Sequence, residues 1–158
     1  MYTASQYPSA IPLALCFLVA ALGAFGFSGY GFRAVTEGHR AKGVSVVARS
    51  GAALSVAACL AVYAWGAVHL FLDESGTAEA CRSAAPEQFA SVNRYSVSYV
   101  PPALHCHVPG GASYEAAVPG YVTPAMIALG LIAASLLIVS VLETKQQGRH
   151  EPAKEKKL

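Results

Sequence analysis

His105-Cys106-His107 concentrates more chemistry in three residues than any other stretch of this chain. On an extended strand alternate side chains share a face. The two imidazoles therefore point one way and the thiol the other. Neutral imidazole suits copper or zinc. His69, at the end of an apolar run, is the third candidate ligand, so His105, His107 and His69 make up the metal site that the sequence allows. Against it, two histidines at this spacing match no recognised zinc pattern, and a structural zinc takes four ligands. The competing reading is a pair of surface histidines on a solvated strand.

Cys106 has a different partner. The chain holds four cysteines, and only Cys81 and Cys106 fall in the long segment 73–121. They are not a C-x-x-C pair, so the usual thiol-activating spacing is missing. In an oxidising compartment a small unit with little core is commonly closed by a disulfide. A Cys81–Cys106 bridge is therefore expected, with chain-entropy reasoning giving about 3–4 kcal/mol. Cys16 and Cys59 lie inside apolar runs and read as small fillers.

The elements around these residues set their placement. Thr77–Ala85 is compatible with a short helix, and Pro86 starts another turn. In 93–100, Tyr95, Val97 and Tyr99 alternate with Ser96 and Ser98, which is a strand period. Residues 103–108 put Leu104, Cys106 and Val108 opposite His105 and His107. Pro109-Gly110-Gly111 signals a turn, and 113–118 can return as another strand. A two- or three-stranded antiparallel sheet packed on a short helix is expected.

Three long apolar runs flank this segment, at 11–32, 46–72 and 123–142. About 20 apolar residues cross the hydrocarbon of a bilayer as a helix. In lipid the backbone must satisfy its own polar groups, which leaves helices as the form. Composition agrees: 54% hydrophobic and 13% charged residues, against about 25% charged in soluble domains. No polar stripe marks any run as the side of a soluble helix. The first run has no Lys or Arg before it and is long for a signal-peptide core, so it reads as a retained helix.

Lys and Arg placement sets the direction. Segment 33–45 carries Arg33, Arg40 and Lys42, with Arg49 just inside the second run. Segment 143–158 carries Lys145, Arg149, Lys154, Lys156 and Lys157, and has the composition of a disordered tail. The long segment 73–122 has only Arg82 and Arg94 among five carboxylates. Both basic segments fall on one side of a three-span chain. The N-terminal segment 1–10 and segment 73–122 are thus expected outside, with the C-terminus in the cytoplasm. Tyr63, Trp65, Phe71 and Tyr121 near the outer ends, and Tyr30 near the inner end of the first span, fit interfacial belts. Thr123-Pro124 reads as the start of the third helix, and Gly76 as the end of the second.

Gly51, Ser55 and Cys59 fall four apart on the second run, Gly130 and Ala134 on the third, and Gly23, Ala24, Gly26 and Gly29 crowd the first. Small residues at such spacing allow close helix approach. Packing among the three helices is the simpler reading, and a homo-oligomer or protein partner the alternative. No Asp, Glu, Lys or Arg sits near the middle of a span, which argues against ion pumps and proton-coupled transporters. An odd span count without a visible internal repeat argues against an inverted-repeat transporter.

The outer segment from Cys81 to Pro124 resembles small uncharacterised polytopic membrane proteins of high-GC actinobacteria. The likeness rests on Cys81, Tyr95–Val97, Pro101-Pro102, Cys106 and the Val118-Pro119-Gly120-Tyr121 run. It implies no activity.

Together these features predict an α-helical membrane protein: three transmembrane helices with a small disulfide-closed α+β extracytoplasmic loop domain, in the plasma membrane. No Ser–His–Asp set, paired intramembrane carboxylates or phosphate loop marks an enzyme, so no catalytic residue or cofactor is assigned. A formal charge of +2 gives no reason to expect nucleic-acid binding. The expected function is a non-enzymatic accessory or interaction protein, embedded in the lipid bilayer. Tyr95, Tyr99, Tyr114 and Tyr121 supply the amphipathic contacts of its outer loop. The alternatives are copper or zinc binding through His105, His107 and His69, and a small subunit of a larger membrane enzyme or transporter complex.

Overall fold

The computed structural model describes residues 10–38 and 44–155. Segment 1–9, the loop cations Arg40 and Lys42, and the terminal Lys156 and Lys157 lie outside the described residues. The order is α1 (Ala10–Gly38), α2 (Val44–Val68), α3 (Glu74–Ala84), α4 (Pro86–Phe89), β1 (Arg94–Tyr99), β2 (Pro102–His107), β3 (Ser113–Ala116) and α5 (Val122–Glu155).

Among the described residues three helical stretches are long and apolar enough to cross a membrane: Ile11–Thr36, Val44–Val68 and Val122–Gln146. At 26, 25 and 25 residues and 1.5 Å per residue, each is about 38 Å long, more than the roughly 30 Å of a hydrocarbon core. In the most apolar window of the first and third, only 11% of the residues are buried. Their large side chains, Leu22, Phe25, Leu131 and Ile138 among them, face outward.

Several ends differ from the sequence expectation. The second helix stops at Val68 rather than 72. The N–H groups of His69, Leu70 and Phe71 donate to the carbonyls three residues back, at Gly66, Ala67 and Val68. That tightens and closes the last turn. Gly76 does not end this helix; it lies in the first turn of α3, where its N–H donates to Asp73 Oδ1 at 2.7 Å. Asp73 is therefore an N-cap, and α3 begins at Glu74, three residues before the expected Thr77. The α5 helix begins at Val122, so Thr123 is inside it and does not cap it. Pro124 still falls in the first turn, where no N–H is required of it. At the other ends, α1 continues to Gly38 and α5 to Glu155. The tail with a disordered composition is thus helical as far as Glu155.

The chain divides into two compact units. One takes in the described residues up to Ala21 together with Ala61–Met126. Its sheet is antiparallel in the order β1-β2-β3. Strand edges lie within one or two residues of expectation, with β2 running 102–107 and β3 ending at Ala116. The two-residue Val100-Pro101 connection, a cis peptide, joins Tyr99 to its partner Pro102. Tyr95, Cys106 and Tyr114 form one cross-strand row, and Val97, Leu104 and Ala116 the next. This face packs on a buried cluster of Leu13, Ala67, Leu70, Cys81, Leu104, Cys106 and Ala116. Gly66 makes the approach possible: a Cβ there would lie 2.9 Å from Val122 Cγ1 and 3.1 Å from Pro102 Cγ.

The other unit takes in Leu22–Leu60 and the described residues from Ile127 onward. Ala48, Ala52, Ala53 and Ala57 are its buried alanines on α2. A Cβ on Gly31 would sit 2.7 Å from Leu54 Cγ, and one on Gly51 3.1 Å from Leu136 Cδ1. These are the small-residue approaches that bring helices together. Arg49 adds a polar link, donating from Nε to Ser140 Oγ at 2.9 Å and from Nη2 to Thr144 Oγ1 at 3.2 Å. Gly26, Gly29 and Gly130 have open space where a side chain would be.

Candidate functional site

The segment between α2 and α5 holds the polar and aromatic residues from which a site could be built. Asp73 anchors its start. The carboxylate accepts from the Gly76 N–H and from Ser75 Oγ at 2.9 Å. The backbone donor first, and the hydroxyl second, hold its pKa below the ordinary aspartate value. Thr77, fully buried, donates to the Asp73 carbonyl at 2.8 Å. The next turns of α3 bring Cys81 onto the sheet.

Cys81 and Cys106 are both fully buried, with their sulfurs at disulfide-bonding distance and their Cα atoms 6.1 Å apart. Tyr114 ties the same two elements together, its hydroxyl donating to the Cys81 carbonyl at 3.0 Å. Burial first, and the nearby Tyr95 second, raise the Tyr114 pKa above the ordinary tyrosine value. The helix is thus held to the sheet through a cysteine pair and a hydrogen bond. Cys16 and Cys59 lie outside this pair and are partly buried.

Tyr95, Tyr99 and Tyr114 are half-buried and pack against the core cluster. Their rings lie on the inner face of the sheet. Tyr121 is different: it is 58% exposed and accepts a hydrogen bond from Trp65 Nε1 at 3.0 Å. Trp65 also meets His69 edge to face, ring centres 5.1 Å apart. His69 Nδ1 lies 2.9 Å from the Trp65 carbonyl, which can only accept, so Nδ1 carries the proton of this contact. Phe71 meets Phe17 edge to face at 6.1 Å. These exposed and half-exposed aromatics collect around the end of α2 and the start of α5.

His105 and His107 share the outer face of β2, as the strand period requires. His105 lies between Ser96 on β1 and Glu115 on β3 in the register. His107 Nε2 is 2.7 Å from Ser96 Oγ. Among the described residues, His69, His105 and His107 are not brought together, and no group of three or more His, Cys, Asp or Glu side chains is placed to hold a metal ion. The His69 ring belongs with Trp65 at the helix end, while the two strand histidines look out from the opposite face of the sheet to Cys106. The three histidines of the expected set thus fall on separate elements, one at a helix end and two on a strand.

Three features were not anticipated from sequence: the Asp73 cap, the Tyr114–Cys81 link and the Arg49 contacts. The run Asp73-Glu74-Ser75-Gly76 carried a signal for the first, since aspartate with acid in the following turn is a helix-start pattern. The other two join residues 33 and 91 or more positions apart, and no local pattern encodes them. No protein-family model, curated protein or solved structure matches the chain.

Proposed function

We propose that this is a multi-pass plasma-membrane protein whose segment 73–122 lies outside and acts as a non-enzymatic interaction module. The observation that carries the reading is the pairing of three lipid-suited helices with a small sheet whose Cys106 lies at disulfide distance from Cys81. Exposed Leu, Ile, Val and Phe side chains on α1 and α5 are costly in water, at about 25 cal/mol per Å² of apolar surface. Lipid tails remove that cost. Trp65 and Tyr121 add the amphipathic rings that favour a headgroup boundary.

The excess of Lys and Arg in 33–45 and 143–158 supports a reading with those segments in the cytoplasm and the cysteine pair in an oxidising exterior. The working surface is the exposed part of the loop, including Tyr121 and the outer face of the sheet. The partner is a protein or an envelope component. Gly26, Gly29 and Gly130, with open space beside them, favour a second reading in which helix faces join a homo-oligomer or a larger complex.

Purification in mild detergent after crosslinking through an exposed loop position tests the first reading. A stoichiometric partner, lost when 73–122 is replaced by an inert linker, is the expected result. A partner retained by the replaced protein assigns the interaction to the helices. An export-dependent reporter fused at Leu158 should be silent, and an active one would reverse the orientation.

A further inference from the structure

The outer end of the β2–β3 hairpin encloses a polar cleft of about 420 Å³, lined by Asn93, Arg94, His107, Val108, Pro109, Gly110 and Gly111. Its shape follows from the strands. Arg94 and His107 are direct partners across β1 and β2. Directly opposed residues leave the same face with Cβ atoms about 5 Å apart. The Asn93 N–H donates to the His107 carbonyl, and the Val108 N–H to the Ala112 carbonyl, each at 3.0 Å. These bonds hold both rims of the cleft.

Gly110 and Gly111 form the turn between them, at φ of 100° and 86°. Those values are strained for other residues. A Cβ on either glycine would meet nothing within 4 Å, so the pair leaves the backbone of the turn uncovered.

Charge makes the cleft distinctive. Residues 73–121 hold two cationic side chains, Arg82 and Arg94, against five carboxylates. Arg82 is engaged: it reaches Glu79 at 3.5 Å, and its guanidinium lies 4.9 Å from the centre of the Phe89 ring. Arg94 is exposed and, among the described residues, forms no ion pair. No carboxylate lines its cleft. An acidic loop therefore keeps one guanidinium fork open beside an imidazole, an amide side chain and an uncovered glycine turn. A planar guanidinium with an open fork suits two oxygens of one anion. A volume of this size falls within the range of small-ligand sites.

We propose that this cleft binds an oxyanion, the phosphate or carboxylate group of a small ligand or lipid headgroup, with Arg94 as the primary contact. The glycine turn leaves room for close approach, and Asn93 and His107 flank the anion. The proposal rests on the loop being the working surface of the protein and names the chemistry that surface recognises.

The test uses the full chain in nanodiscs, observed by NMR at the Arg94 side chain and the Gly110 and Gly111 amides. In phosphatidylcholine discs, inorganic phosphate should give saturable shifts at millimolar concentration, the range of a weak small-anion site. If shifts arise instead only on moving to phosphatidylglycerol discs, the anion is a headgroup. Arg94→Gln should weaken either response about 10- to 100-fold, as loss of charge-assisted hydrogen bonds would. Arg94→Lys should keep part of it, and Arg82→Gln should leave it unchanged. No saturable shift in either disc, or an undiminished one in Arg94→Gln, overturns the proposal. Capture of a protein partner by wild type and Arg94→Gln alike, without a response to either anion, removes the cleft and leaves the interaction module standing.

Discussion

Breaking the Cys81–Cys106 link should loosen the sheet far more than the helices. The two cysteines are separated by 25 positions in sequence. A closed loop of that size removes about 3.5 kcal/mol of chain entropy from the open state at 25 °C. At 1.4 kcal/mol per tenfold, opening of β2 should become about 300 times more frequent on reduction. The reason is local. β2 is the central strand, and Cys106 on it is fully buried against Cys81 of α3. With the link cut, the Tyr114 hydroxyl still donates to the Cys81 carbonyl and gives α3 a hydrogen bond to the sheet. Hydrogen exchange by mass spectrometry, on oxidised and reduced protein in the same detergent, reads the change in peptides covering 102–107. Peptides within 127–142 serve as the internal control. A change of less than threefold in β2, or maleimide labelling of both cysteines in the folded unreduced protein, would refute the reasoning.

Trp65 is the one tryptophan in the chain, so its fluorescence reports a single depth. In bilayers brominated along the acyl chain, quenching should be strongest with bromine near the headgroup end; equal quenching at every depth counts against an interfacial α2 end. Arg49→Met should lower resistance to SDS unfolding by about 1–2 kcal/mol, because Ser140 and Thr144 lose a charged donor. Unchanged resistance would mean the link is cosmetic. The raised Tyr114 pKa predicts loss of loop stability at high pH. The folded state holds that proton more tightly than the unfolded chain, so the contribution is complete below about pH 10 and disappears as pH rises through the folded value. Circular dichroism of the sheet should show this alkaline loss, and Tyr114→Phe should reduce its pH dependence.

The apolar runs, the strand alternation and the cysteine pair were all legible along the chain, because each is a local or compositional pattern. A hydrophobic stretch of 25 residues makes a helix whatever it packs against, since its backbone bonds close within four residues. Period-two alternation in 94–99 and 102–107 likewise decides which residues share a face. With two cysteines in the loop, the pairing had a single solution. Helix ends were harder: Gly76, expected to end the second helix, lies in the first turn of α3, where the Asp73 carboxylate accepts its N–H.

Sequence by itself determined what must leave water and which residues lie on the same face of a strand. Only the tertiary structure decided what those faces meet. The aromatic side of β1 turned inward, so Tyr95 and Tyr99 pack on the core cluster. His69 closed onto Trp65 and away from the strand histidines. Arg94 came to face His107 across the hairpin end. Short-range periodicity carries direction but not distance, and contacts between residues far apart in the chain exist only once the register and the turns are set.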